Sequence, residues 1–226
     1  AHKVHLVEIL MTYLNKFVSI FLCILFVVGC SFSPVYSLVA DSIKLGLIGG
    51  DQKTLTQDKI NSIDYSFIQA HIGKGESIIM ILESFSNNKY TWVSSSEDKI
   101  VTNSNGSVIQ TSGLPNNLNV ISNNKIHNFK LSEYPFSHGY FVDFDKPILQ
   151  SLFINSIFVD RGLTEDCILY ELKKIKCRII VEKFTAEAIN WQDTNLYKFN
   201  ENTYEIVSSE VFVHPFLPKL TIRFYK

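Results

Sequence analysis

From Tyr65 to its end, the chain is built of short runs in which β-branched and aromatic residues alternate with polar ones. A period of two sends successive side chains to opposite faces of a strand, so such runs specify half-buried β-strands rather than amphipathic helices. The final run shows this most clearly: Leu220, Ile222 and Phe224 share one face, and Thr221, Arg223 and Tyr225 the other. The same criterion places strands at 65–72, 77–85, 90–95, 99–102, 108–112, 125–131, 139–144, 156–160, 167–172, 176–184, 196–199, 204–213 and 219–225. Asn87-Asn88 and the stretch from Asn103 to Gly106 supply turns between them. Residues 147–153 read as a helix or a linking loop. Many short antiparallel strands predict a mainly β fold, either a single sandwich or a curled half-barrel.

Two short helices are expected ahead of the strands. Ser37 can cap the first, with Val39, Ile43 and Leu47 on one face and Gly49-Gly50 ending it. Thr54-Leu55-Thr56-Gln57 has capping-box form and starts a second, running to about Ile63. No Pro-, Gly- or Ser-rich linker divides the chain, so residues 37–226 read as one domain. With 46% hydrophobic residues, there is enough apolar surface to offset chain entropy and exclude disorder. The 21 Lys and Arg against 22 Asp and Glu leave no positive excess for binding nucleic acid.

The N-terminal segment reads as an address. Met11 to Lys16 is a polar stretch with one positive charge, and Phe17 to Val28 is apolar except for Ser19. A helix of that length reaches roughly 18 Å, short of the ~30 Å of a hydrocarbon core. It has the length of a signal-peptide core and ends in Val27-Val28-Gly29-Cys30, a lipobox. Gly29 lets the chain enter the signal peptidase, cleavage falls between Gly29 and Cys30, and the Cys30 thiol accepts diacylglycerol. The rival, a retained signal anchor, is opposed by Ser31, Ser33, Pro34 and Ser37, which make the following stretch polar and kinked. Residues 1–10 precede Met11 and are read as an extension, so 1–29 would be removed and 30–36 would form a lipidated tether. Ser31, where an Asp would signal inner-membrane retention, points to the outer membrane and a periplasm-facing body.

That compartment is oxidising, and two cysteines remain in the body, Cys167 and Cys177. They flank a hairpin-like segment and would lie close on adjacent strands, so a disulfide is expected. Two separately buried thiols are the alternative.

The residues from Asp64 to Gly73, Tyr90 to Ser94, Ile100 to Thr102 and Asn105 to Pro115, together with Trp191, Ser208-Ser209-Glu210, Pro215 and Pro218, resemble the YjbF/GfcB family of outer-membrane lipoproteins from exopolysaccharide and group 4 capsule operons. The family usually carries Gly-Arg where this chain has Gly106-Ser107, and Tyr-Trp where it has Leu196-Tyr197. The resemblance implies a periplasm-facing accessory protein that acts with other polysaccharide-export proteins. It implies no catalytic residue and no cofactor.

The motifs agree with a non-enzymatic reading. There is no Gly-x-Gly-x-x-Gly, Walker A, His-Glu-x-x-His or Gly-x-Ser-x-Gly. His71, His127, His138 and His214 are scattered, with His71 half-buried in a strand. Ser137-His138-Gly139 with Asp143 and Asp145 is too thin a constellation for a triad or a metal site, although two carboxylates on one strand face would repel unless a cation lay between them. Glu182-Lys183 and Lys173-Lys174 read as solvated charges. Trp92 and Trp191 admit two readings, core packing or a sugar-stacking platform, and the usual burial of large aromatics favours the core. Three roles therefore stand: an interaction module with an exposed apolar surface, a carrier sheltering a lipid or glycan in an open sheet interior, and a polysaccharide-modifying enzyme, for which no carboxylate pair is visible.

Overall fold

The structure, a computed structural model, describes residues 55–121, 129, 133–170 and 173–225. These residues begin with one short helix, α1 (Gln57–Asn61), whose cap is Thr56; its hydroxyl accepts from the Lys59 amide. The first helix and the signal segment, both expected from the sequence, lie outside the described residues.

Twelve strands follow: β1 (Phe67–Ile72), β2 (Ile78–Ser86), β3 (Lys89–Val93), β4 (Lys99–Asn103), β5 (Val108–Ser112), β6 (Leu118–Val120), β7 (Phe136–Asp145), β8 (Ile148–Tyr170), β9 (Lys173–Ala186), β10 (Trp191–Asn200), β11 (Ile206–Val211) and β12 (Leu220–Tyr225). Each pairs antiparallel with its neighbours in sequence, and β1 also pairs with β12, from Phe67 opposite Tyr225 to Ile72 opposite Leu220. The sheet therefore closes into a barrel. An even number of strands in an up-and-down meander leaves the first and last antiparallel, so they complete the ring without a crossover. Closure removes the edges that a sandwich or half-barrel would expose, and it corrects both of those expectations.

The strand pattern explains which side is inside. On β8, Leu152, Ile154 and Phe158 are buried while Phe153, Asn155 and Ile157 are exposed. On β12, Leu220, Ile222 and Phe224 enter the core as the alternation requires. Outer positions include the ion pair Lys99–Glu83 and exposed Lys183. This apolar-in arrangement is the reverse of a membrane-spanning barrel. A ring of twelve strands encloses more volume than the eight-strand size that side chains just fill. Much of that excess is taken up by aromatics. Phe129, from the connection between β6 and β7, inserts among Phe158, Tyr197 and Phe199 with ring centroids 5.1, 5.5 and 5.8 Å away.

Two glycines are required by geometry. Gly106, in the β4–β5 turn, has φ +79°, and a Cβ there would lie 2.7 Å from Ile206. Gly139 on β7 leaves room for the Phe153 ring, which would stand 2.6 Å from an added Cβ.

Other local expectations are revised. Residues 147–153 are neither helix nor loop, because β8 starts at Ile148 directly after a turn with a cis Lys146–Pro147 bond. The strand expected at 156–160 and, up to Tyr170, the one expected at 167–172 are both parts of β8, joined across a register shift between Asp160 and Thr164. The three-residue β6 was not anticipated. The strand expected at 125–131 falls, apart from Phe129, outside the described residues.

Candidate functional site

The interior of the barrel holds a charged side chain. Period two on β9 turns Ile180, Glu182 and Phe184 inward together, and Glu182 is only 3% exposed. Four side chains from the strands around it donate to its carboxylate. Ser156 Oγ on β8 lies 2.6 Å and Tyr140 Oη on β7 3.3 Å from Oε1. Tyr197 Oη and Asn195 Nδ2 on β10 lie 2.7 and 2.8 Å from Oε2. Asn195 Oδ1 in turn accepts from the Phe212 amide at 2.8 Å, just beyond β11. One carboxylate thus ties four consecutive strands together. An ionised carboxylate is an acceptor with about four lone-pair positions, so this donor set fits it. The Tyr140 and Tyr197 hydroxyls are pushed well above the usual tyrosine range, first by burial and then by the negative charge of Glu182. They stay protonated and act as donors. The reading of Glu182 as a solvated charge is therefore corrected, since the register that buries Ile180 and Phe184 buries it as well.

Beside this knot lies a cavity of about 130 Å³, partly open to solvent. Its aromatic lining comprises Phe129, Phe144, Phe158, Phe184, Trp191 and Phe212, and its polar lining Glu182, Asn195, Tyr140, Tyr197, His138, Asn103, Asn105 and Ser107. No lysine or arginine lines it.

The two tryptophans separate. Trp92 is 2% exposed and its indole donates to Thr102 Oγ1 at 3.0 Å, with its ring against Phe224. A stacking platform needs an open face, so Trp92 is a core residue. Trp191 is half-buried on the cavity wall, edge-on to Phe184 at 4.7 Å. Cys167 and Cys177 form the expected disulfide, with Cα atoms 5.9 Å apart on β8 and β9. Gly29 and Cys30, the expected cleavage and lipidation residues, lie outside the described residues.

The remaining candidates do not converge. Asp143 and Asp145 lie on the outer side of β7, and each has its own donors: Asp143 takes the Ser151 amide at 2.8 Å, and Asp145 takes the backbone and side-chain nitrogens of Asn117 at 2.6 and 2.7 Å. The repulsion expected between them is relieved by these donors, and no cation is needed. Among the described residues, no group of three or more His, Cys, Asp or Glu is placed to hold a metal. His71 is half-buried on β1, and burial lowers its pKa. His214 is fully buried. Its Nδ1 accepts from the Phe216 amide at 3.2 Å, its Nε2 finds no acceptor among the described residues, and burial lowers its pKa to about 4.

On the outer wall, Phe141 of β7 and Phe153 of β8 stand directly opposite each other, with ring centroids 5.2 Å apart. They are 44% and 50% exposed, and Ile157 continues the strip at 43%.

Fold and interior together define a closed antiparallel meander barrel with a largely filled core, a buried carboxylate at Glu182 and an aromatic strip on its outer wall. The chain belongs to the YjbF family, described as group 4 capsule polysaccharide lipoprotein gfcB, YjbF, which it matches over residues 40–224. Among solved structures, the hypothetical lipoprotein YmcC from Escherichia coli K12 shares the fold, with a TM-score of 0.67 and 18% identity over 88% of this chain and 98% of that one. No curated protein matches the chain.

Proposed function

We propose that this protein is a lipid-anchored accessory of capsule or exopolysaccharide export, held in the outer membrane through Cys30 and facing the periplasm, and that it works by binding rather than by chemistry. Membership in a family of capsule-associated lipoproteins supports the setting. The observation that carries the mode of action is the strip formed by Phe141, Phe153 and Ile157. Adjacent large apolar side chains held in water are costly, and surfaces of this kind mark protein-binding sites. The occupant is an apolar surface on another envelope protein of the export apparatus.

The carrier alternative required an interior of the size of ordinary ligand pockets, about 300–1,000 Å³. An interior space of about 130 Å³ admits neither an acyl chain nor an oligosaccharide, so the outer wall is the better candidate.

In-cell photocrosslinking tests this reading. A photoreactive residue replacing Phe153 is expected to capture one envelope protein. The same residue replacing Lys99 on β4, four strands around the barrel, is expected to capture none. Equal capture at both positions, or none at Phe153, would remove the strip from the mechanism.

A further inference from the structure

We propose that the cavity beside Glu182 receives a small quaternary ammonium group. The inference rests on the interior alone and not on the function proposed for the outer wall. Glu182 brings a negative charge into the barrel, and its partners Tyr140, Ser156, Asn195 and Tyr197 are all neutral donors. Those four donors occupy its lone pairs. The site therefore offers negative potential with no free carboxylate acceptor position, which suits a cation that has no N–H to donate. Primary ammonium groups would lose their water shell without regaining hydrogen bonds to the carboxylate.

The aromatic side chains that share the lining supply what such a cation does use. Phe144, Phe158, Phe184, Trp191 and Phe212 present aromatic rings around the space, and ring faces attract desolvated cations, Trp most strongly. A charge in this partly enclosed setting also feels the carboxylate more strongly than it would in water. The size agrees: a cavity of roughly 150 Å³ takes a guest as large as benzene, and about 130 Å³ is available here, enough for a trimethylammonium head. His138 also lines the space, stacked on Tyr140 at 5.7 Å.

Trp191 gives a direct readout, because Trp92 lies in the core and does not line the cavity. Choline is titrated into the full-length chain at about pH 8, where an imidazole is neutral, with the uncharged isostere 3,3-dimethyl-1-butanol as control. Choline is expected to change the Trp191 fluorescence saturably and to bind at least about tenfold more tightly than the alcohol. Glu182→Gln is expected to erase that preference. Should this variant fail to fold, Val120→Phe, at the half-exposed rim, is expected to weaken choline by at least about tenfold while melting as the parent does. Phosphocholine and glycine betaine in parallel distinguish an esterified head group from a free osmolyte. No saturable response below about 10 mM, equal binding of the alcohol, or choline affinity unchanged in both variants would overturn the proposal.

Discussion

Glu182 concentrates the barrel's interior polarity in one residue. Replacing it with alanine would leave Tyr197, Asn195 and Ser156 donors buried without their acceptor. Each such orphan costs about 1–3 kcal/mol. Glu182→Ala is therefore expected to lower the unfolding free energy by at least about 3 kcal/mol in urea melts. His214 makes a pH-dependent contribution. Its pKa in the fold is about 4, against an ordinary 6.5. As pH falls below 6.5, the unfolded chain takes up a proton that the buried ring refuses until about 4. Stability from this residue is thus complete above pH 6.5 and declines through that window, by up to roughly 3 kcal/mol. Urea melts across the window should show a steeper decline in the parent than in His214→Asn, whose side chain can still accept from the Phe216 amide. At this scale the sequence was legible where period two was applied to every residue type. Ile180, Glu182 and Phe184 lie on one face by counting alone. Glu182 was misread because the adjacent Lys183 made the pair look like surface charge, and its four partners come from positions up to 42 residues away.

Among the elements, the β8–β9 hairpin departs most from expectation. Sequence periodicity breaks around Arg161-Gly162, where Gly162 has φ +62° and the pairing shifts register. A local reading sees two strands there, whereas a bulge lets one strand continue through. The hairpin was nonetheless legible enough to bring Cys167 and Cys177 together, because both flank the same turn. Past Cys177, which pairs with Asn200 of β10, the end of the hairpin is strand-paired only with itself among the described residues, while Val207 of β11 packs on the two cysteines at its base. The disulfide there closes a loop with a sequence separation of 10, for which the chain-entropy relation gives at most about 3 kcal/mol. Cys167→Ser with Cys177→Ser is expected to speed amide exchange in the outer hairpin while β1, β11 and β12 keep parental protection, measured by hydrogen exchange and mass spectrometry. Exchange raised equally around the whole barrel would show that the bridge supports the ring itself.

At the scale of the molecule, strands were legible but closure was not. Periodicity reports whether a segment is a strand and which face is apolar. It does not report that Phe67 will pair with Tyr225, which depends on the number of strands and their tilt. Thirteen strands are expected from the sequence where the ring has twelve: β8 is split in two, one is added at 125–131, and β6 is missed, its three residues being too few to show a period. Closure leaves this protein little edge on which a partner strand could add, so the proposed recognition rests on side chains of its wall, where Phe141 and Phe153 form an exposed aromatic pair. Both rings are half exposed, so Phe141→Ser with Phe153→Ser should leave the fold in place and the proposed anchoring at Cys30 unaffected. The decisive measurement is surface polysaccharide produced by cells whose only copy carries this double substitution, with equal amounts of processed protein in the membrane. Loss of surface polymer is the predicted result. Polymer at the parental level would contradict a mechanism that acts through this face.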